Sequence, residues 1–182
     1  MIKARSVLVL GGARSGKSAY AQKLAEAAES AERIFIATAE ADDEEMAARI
    51  ARHRAERGAG WTTIEAPLKL AETLNAEARP GRITLVDCLT LWLSNLMQAG
   101  RDIEAEVGRL ANAIGALESP AIFVSNEVGL GIVPETKLGR AFRDAQGRLN
   151  RDLAAACDAV VFLAAGLPIL MKPKNPPDLR LL

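Results

Sequence analysis

The run Gly11-Gly12-Ala13-Arg14-Ser15-Gly16-Lys17-Ser18 constrains this chain more than any other stretch. Two glycines frame four residues, and a lysine and a serine follow directly, which is the pattern of a phosphate-binding loop, or P-loop. Glycine tolerates the backbone angles that turn successive N–H groups inward, and it leaves room for a phosphate to approach. Such a loop works only where a strand hands over to a helix. The helix start then presents its unpaired N–H groups and positive dipole end to the same anion. Val7-Leu8-Val9-Leu10 precedes the motif as an apolar strand, and a helix-forming stretch follows it, a context that a chance glycine turn lacks. Lys17 adds charge on the β- and γ-phosphates of a nucleotide, and Ser18 offers a hydroxyl to Mg²⁺.

Hydrophobic patterning extends this unit along the chain. Short β-branched runs predict strands over 6–10, 33–38, 61–65, 82–87, 121–125 and 159–163, with a short last strand over 169–171. Helical spacing occupies 17–30, 42–57, 68–78, 89–98, 103–117 and 137–156. Apolar strands that alternate with helices predict an α/β, P-loop NTPase-type three-layer fold: a mostly parallel sheet with helices on both faces. With 182 residues, no repeat and no linker, the chain reads as one nucleotide-binding domain over 1–182. Residues 172–182, rich in Pro and Lys, read as a loose C-terminal tail.

Composition excludes several classes. Basic and acidic residues balance at 23 each, so no overall field draws the chain to nucleic acid or to an anionic membrane. The apolar run from Ala159 to Met171 is shorter than the ~20 residues that span a bilayer, and Gly166 and Pro168 interrupt it. The N-terminal apolar stretch is too short for a signal peptide and runs straight into glycines. Cys88 and Cys157 each sit in an apolar segment; they read as buried free thiols of a reducing compartment, with a pairing as the alternative. One histidine and two scattered cysteines do not make a zinc site. A cytoplasmic location follows from these readings.

Two further positions carry candidate chemistry. Asp87 ends the apolar run Ile83-Thr84-Leu85-Val86, and a carboxylate at the end of a buried parallel strand lies on the edge where α/β ligands bind. It reads as a Mg²⁺-binding acid, as the N-cap of the helix that starts at Leu89, or as both. His53, the single histidine, shares a predicted helix face with Met46, Ile50 and Arg57, a position usually filled by a packed or solvated side chain. Arg49, Arg52, Arg54 and Arg57 surround it, however, and that much positive charge suits phosphate. It also favours the neutral imidazole that a nucleophile needs. Ser125-Asn126-Glu127 and Gly129-Leu130-Gly131 follow a predicted strand and belong on the same ligand edge. The helix over 137–156 turns Phe142, Ala145, Leu149 and Leu153 to one apolar face.

The segments GGARSGKS, IATAEADDEEMAARIARHR, VDCLTLWLSNL and SNEVGLGIVPE…GRAFRDAQGRLNRDLAAACDAVVFLAAGLP resemble the bifunctional adenosylcobinamide kinase/adenosylcobinamide-phosphate guanylyltransferases of cobalamin biosynthesis, from Val7 to about Pro168. The resemblance implies two reactions. ATP or GTP phosphorylates a hydroxyl of adenosylcobinamide, and GTP then gives GMP to the resulting phosphate through a guanylylated histidine. The matching histidine is His53; some members carry a second histidine just before it, where this chain has Arg52. By the same resemblance the nucleotide contacts fall on Gly11, Gly12, Ala13, Arg14, Ser15, Gly16, Lys17, Ser18, Ala37, Thr38, Ala39, Arg54, Ala55, Glu56, Arg57, Glu65 and Asp87. The implied partners are adenosylcobinamide and its phosphate, the implied cofactor is Mg²⁺, held by Ser18 and Asp87, and the implied assembly is a homotrimer.

Two rivals stand beside this reading. Another small-molecule P-loop kinase leaves His53 incidental. A nucleotide-dependent switch or binding module needs no acceptor, but the chain lacks the N-K-x-D run that reads guanine in switch GTPases, and Cys-Leu-Thr follows Asp87 instead of x-x-G.

Overall fold

The computed structural model describes residues 3–30, 32–39 and 60–173. They run β1 (Ser6–Gly11), α1 (Lys17–Glu26), β2 (Glu32–Ala37), β3 (Trp61–Glu65), α2 (Leu70–Glu77), β4 (Arg82–Asp87), α3 (Leu89–Gln98), α4 (Ile103–Gly115), β5 (Ala121–Asn126), α5 (Lys137–Ala156), β6 (Ala159–Ala164) and β7 (Leu167–Lys172). The seven strands form one sheet in the order β3-β2-β4-β5-β1-β6-β7. All neighbouring pairs are parallel except β6 and β7, which form an antiparallel hairpin.

The strands are apolar on both faces because helices cover both faces, and the pleat sorts their side chains by alternation. Leu8 and Leu10, Ile34 and Ile36, and Phe123 point into one core. There they meet Leu70 and Leu74 of α2, Trp92 and Leu96 of α3, Leu110 of α4, and Leu149 and Leu153 of α5. Val9, Phe35, Ile122 and Val124 point the other way, onto Ala21 and Ala25 of α1. The small alanines let α1 lie close to the sheet, which carries the helix start up to the strand ends.

The predicted strands and helices are present wherever the structure describes them, with small shifts at the ends. The first helix stops at Glu26 rather than residue 30, and the helix expected over 103–117 stops at Gly115. The helix expected over 42–57 lies outside the described residues. The short last strand grows to Leu167–Lys172, joined to β6 through Ala165 and Gly166 at φ 50° and 80°. Positive φ at both central residues is what a two-residue hairpin turn requires.

One expectation is corrected here. Lys172 is not tail: it closes β7, and its Nζ donates to the carbonyls of Ala154 (3.0 Å), Ala155 (2.9 Å) and Cys157 (2.5 Å). The last carbonyls of a helix have no partners within it, and a lysine there both bonds them and offsets the negative dipole end. A composition rich in Pro and Lys hid that role. Both cysteines are free, so no pairing occurs. Among the described residues no helix is long and apolar enough to cross a membrane.

Candidate nucleotide site

The carboxyl ends of the parallel strands form one edge, and the register states what meets there. Gly11 lies opposite Asn126 of β5 and Leu163 of β6. Ala37 lies opposite Asp87 of β4 and Glu65 of β3. The P-loop, Ala37-Thr38-Ala39, Glu65, Asp87 and Ser125-Asn126-Glu127 therefore share the ligand edge of an open α/β sheet. Strand order sets their spacing. β5 separates β1 from β4, so Asp87 stands two strands from Gly11, about 10 Å at ~4.8 Å each. Glu65 stands four strands away, about 19 Å, which is beyond reach of phosphates held in the loop.

The loop itself is built on its glycines. A Cβ on Gly11 would lie 2.5 Å from the Leu163 carbonyl oxygen and 2.7 Å from Ser15 Oγ, so no larger residue fits between β1 and β6. Gly16, the N-cap of α1, takes φ 94°, a left-handed angle that costs other residues energy. It caps the helix with no side-chain hydrogen bond, and the first turn of α1 holds no acidic residue. The first N–H groups of α1 therefore have no side-chain cap, which is the arrangement that suits an anion. The β6–β7 turn braces the other side: Gly166 N donates to Ser15 O at 3.0 Å.

Lys17 is buried, and its Nζ donates to Gly12 O at 2.6 Å and to Ser15 Oγ at 3.4 Å. Burial lowers its pKa, and the charge of Asp87 works against that shift. Asp87 thus acts electrostatically on the lysine of the cradle. The N-cap of α3 is Cys88, with no side-chain cap bond, so Asp87 is the last strand residue and not the cap. That removes the capping alternative. Burial, then the neighbouring Asp87, push the Cys88 thiol up to about 11, which leaves it protonated and a poor nucleophile at neutral pH.

Thr38, expected among the nucleotide contacts, is hydrogen-bonded within the fold. It is fully buried; its Oγ1 donates to Cys88 O (2.7 Å) and accepts from Cys88 N (2.9 Å), while its carbonyl accepts from Asn95 Nδ2 at 2.7 Å. Those bonds join the end of β2 to the residue after Asp87 and so fix where β4 delivers its carboxylate. Ala37 and Ala39 remain half-buried beside it, Ala13, Arg14 and Gly16 are exposed, and Ser18 is half-buried in the first turn of α1. His53, Arg54, Ala55, Glu56 and Arg57 lie outside the described residues.

Several positions went unread in the sequence. Asn95 sits on the buried face of α3 among Trp92, Leu93 and Leu96, and also donates to Pro67 O at 3.1 Å. A polar residue on an apolar helix face was the available signal. Thr90 Oγ1 accepts from Asn126 N at 2.9 Å, and Asn150 Nδ2 donates to Asn126 O at 2.9 Å. Behind them Ser125, Gln146 and Asn150 form a buried hydrogen-bonded cluster between β5 and α5. Nothing local in the sequence marks those pairings.

A P-loop at the end of the first strand, a facing acid on a strand two places away and a parallel sheet between helical layers define a P-loop NTPase-type nucleotide-binding protein. Solved structures share this fold: an ATPase of the type III secretion system of pathogenic bacteria (TM-score 0.56, 10% identity, 88% of this chain and 51% of that one) and a Pyrococcus horikoshii protein (TM-score 0.55, 11% identity, 92% and 86%). This chain thus spans about half of the secretion ATPase. At such identities the likeness concerns the fold alone.

The chain belongs to the cobinamide kinase / cobinamide phosphate guanyltransferase family, whose pattern matches residues 7–171. It is 50% identical to the bifunctional adenosylcobalamin biosynthesis protein CobP of Pseudomonas aeruginosa, over 91% of this chain and 96% of that protein. It is 39% identical to the bifunctional adenosylcobalamin biosynthesis protein CobU of Escherichia coli, over 91% of this chain and 99% of that one.

Proposed function

We propose that the chain is a cytoplasmic, single-domain bifunctional transferase of cobalamin biosynthesis that runs both reactions over one phosphate cradle. In the first, the hydroxyl oxygen of adenosylcobinamide attacks the γ-phosphorus of ATP or GTP, the nucleoside diphosphate leaves, and the hydroxyl proton is released. In the second, His53 attacks the α-phosphorus of GTP and expels pyrophosphate. The phosphate of adenosylcobinamide phosphate then displaces His53 from that phosphorus, giving adenosylcobinamide-GDP. The loop holds the β-phosphate during γ-transfer and the leaving pyrophosphate during α-transfer.

The observation that carries this reading is the cradle itself: the uncapped α1 start and the buried ammonium of Lys17, with Asp87 two strands away. The test is incubation with labelled GTP, with and without adenosylcobinamide, followed by product analysis. Transfer of γ-label and of GMP to the corrinoid is the expected result. Slow hydrolysis that ignores the acceptor would instead mark a switch, and γ-transfer to a different acceptor would mark another kinase.

The donor set suits Mg²⁺. Among the described residues no three His, Cys, Asp or Glu side chains gather into a protein-only metal site. Mg²⁺ takes hard oxygen ligands and is commonly held by one or two protein oxygens plus substrate phosphates; the Ser18 hydroxyl and the Asp87 carboxylate are of that kind. When bound, the ion neutralises charge on the phosphates. Asp87→Ala is therefore expected to raise the Mg²⁺ concentration needed for half-maximal turnover and to weaken Mg²⁺-dependent nucleotide binding in calorimetry, with thermal stability little changed. Superimposable Mg²⁺ titrations of wild type and variant would show that Asp87 is not a ligand.

The homotrimer is taken from the family resemblance; a subunit contact would cover exposed apolar side chains such as Leu130, Ile132, Leu138 and Leu167, which are 83%, 98%, 70% and 68% exposed. Light scattering is expected to return three times the 19.4 kDa chain mass, and a monomer mass would exclude it.

A further inference from the structure

Phosphoryl transfer to an alcohol releases a proton, and no group assigned so far can take it. Lys17 is a cation, Asp87 is the proposed Mg²⁺ ligand, and the Cys88 thiol stays protonated because burial and Asp87 raise its pKa. Guanylyl transfer makes no such demand. Its nucleophiles, a neutral imidazole and a phosphate already ionised at neutral pH, carry free electron pairs. A base is needed in the kinase half alone.

The described carboxylates on this edge are Glu65, Asp87 and Glu127. Glu65 is about four strand spacings from Gly11, roughly 19 Å, whereas Glu127 is one spacing away. Its backbone N donates to Gly11 O at 3.0 Å, at the entrance to the P-loop. β5 also overhangs. Val124 is level with Asp87, so Glu127 lies three residues beyond it along the strand direction, roughly 10 Å at ~3.3 Å each. The side chain is half-buried and anchored by one oxygen: Oε1 accepts from Gly129 N at 2.6 Å. Among the described residues nothing bonds Oε2. The strand end beneath it is fixed by the bonds of Asn126 to Thr90 and Asn150.

We propose that Glu127 is the general base of the kinase half-reaction, with Oε2 accepting the proton of the acceptor hydroxyl as that oxygen attacks the γ-phosphorus. The new O–P bond forms, the bond from that phosphorus to the β–γ bridging oxygen breaks, and the nucleoside diphosphate leaves with the electron pair. Glu127 returns the proton to solvent afterwards. The inference rests on the two-reaction reading above.

Glu127→Gln keeps the size and an oxygen for Gly129 N but cannot take a proton. It is expected to lower kcat for phosphorylation of adenosylcobinamide roughly 10²–10³-fold, within the range that general bases contribute, with KM for the nucleotide little changed. The acidic limb of the kinase pH–rate profile should vanish. GMP transfer to preformed adenosylcobinamide phosphate should stay within about twofold of wild type, and Glu127→Asp should recover part of the kinase rate. Full kinase activity in the Gln variant would overturn the proposal, and so would equal loss of both activities, which would mark Glu127 as a support of the β5–α5 turn. A wild-type protein that fails to phosphorylate adenosylcobinamide would overturn the proposed function instead, a separate outcome.

Discussion

Replacing His53 with alanine is expected to abolish guanylyl transfer while leaving phosphorylation of adenosylcobinamide within about twofold of wild type. An imidazole of ordinary pKa, near ~6.5, is largely neutral at pH 7 and therefore nucleophilic, and its phosphoramidate stays reactive enough to pass GMP on. Transfer of the γ-phosphate to a substrate hydroxyl needs no protein nucleophile, which is why the two activities should separate. The covalent state has its own signature. Label in the α-phosphate of GTP should stay with the denatured protein, whereas γ-label should not. The bond should be labile in acid and stable in alkali, unlike a phosphoester. Two in-line displacements should leave the configuration at the α-phosphorus retained. A His53→Ala protein that guanylylates its substrate at the wild-type rate would show that transfer is direct.

Replacing Lys17 with alanine should instead damage both activities together. Its ammonium is buried against the loop, within 2.6 Å of Gly12 O, and is the one charged side chain buried within the cradle. Removing a preorganised group that stabilises developing negative charge typically costs about 2.7–4 kcal/mol, or roughly 10²–10³-fold in rate. The shared cradle predicts losses of that order in kinase and guanylyl transfer alike, measured separately with adenosylcobinamide and with its phosphate. Melting temperatures of the two proteins distinguish a damaged site from a damaged fold. A variant that kept either activity in full would break the single-cradle scheme and require a second anion site. Together with Glu127→Gln, these substitutions are expected to separate the roles: Lys17 in both reactions, His53 in GMP transfer and Glu127 in phosphorylation.

Much of the scaffold was legible because it is written in local periodicity. The alternation of Leu8, Val9 and Leu10 marks a strand buried on both faces, and the spacing of Ala145, Leu149 and Leu153 marks a helix face; all six residues are buried. The P-loop was legible because each glycine answers a local backbone demand. Ends were less legible. The first helix stops four residues early, because pattern says little about where the last carbonyls find partners. Lys172 was unreadable as a cap for a stronger reason: its partners lie at the end of α5, which only the β6–β7 hairpin brings near.

For this protein the order of residues along the chain was enough to establish the phosphate loop, the α/β alternation, the acid at the end of β4 and membership of its family. Each depends on spacing within a short stretch or on motifs quoted in sequence. Only the tertiary structure decided which strands are neighbours. Strand order follows from how two pleated faces bury their side chains under helices from distant parts of the chain, and no local pattern encodes that. The consequences are specific. β5 lies between β1 and β4, so Glu127 stands beside Gly11 while Asp87 is one strand further out and Glu65 is remote from the phosphates. Thr38, which the family resemblance offers to the nucleotide, is hydrogen-bonded to Cys88 and Asn95 because the ends of β2 and β4 and the helix α3 converge on it.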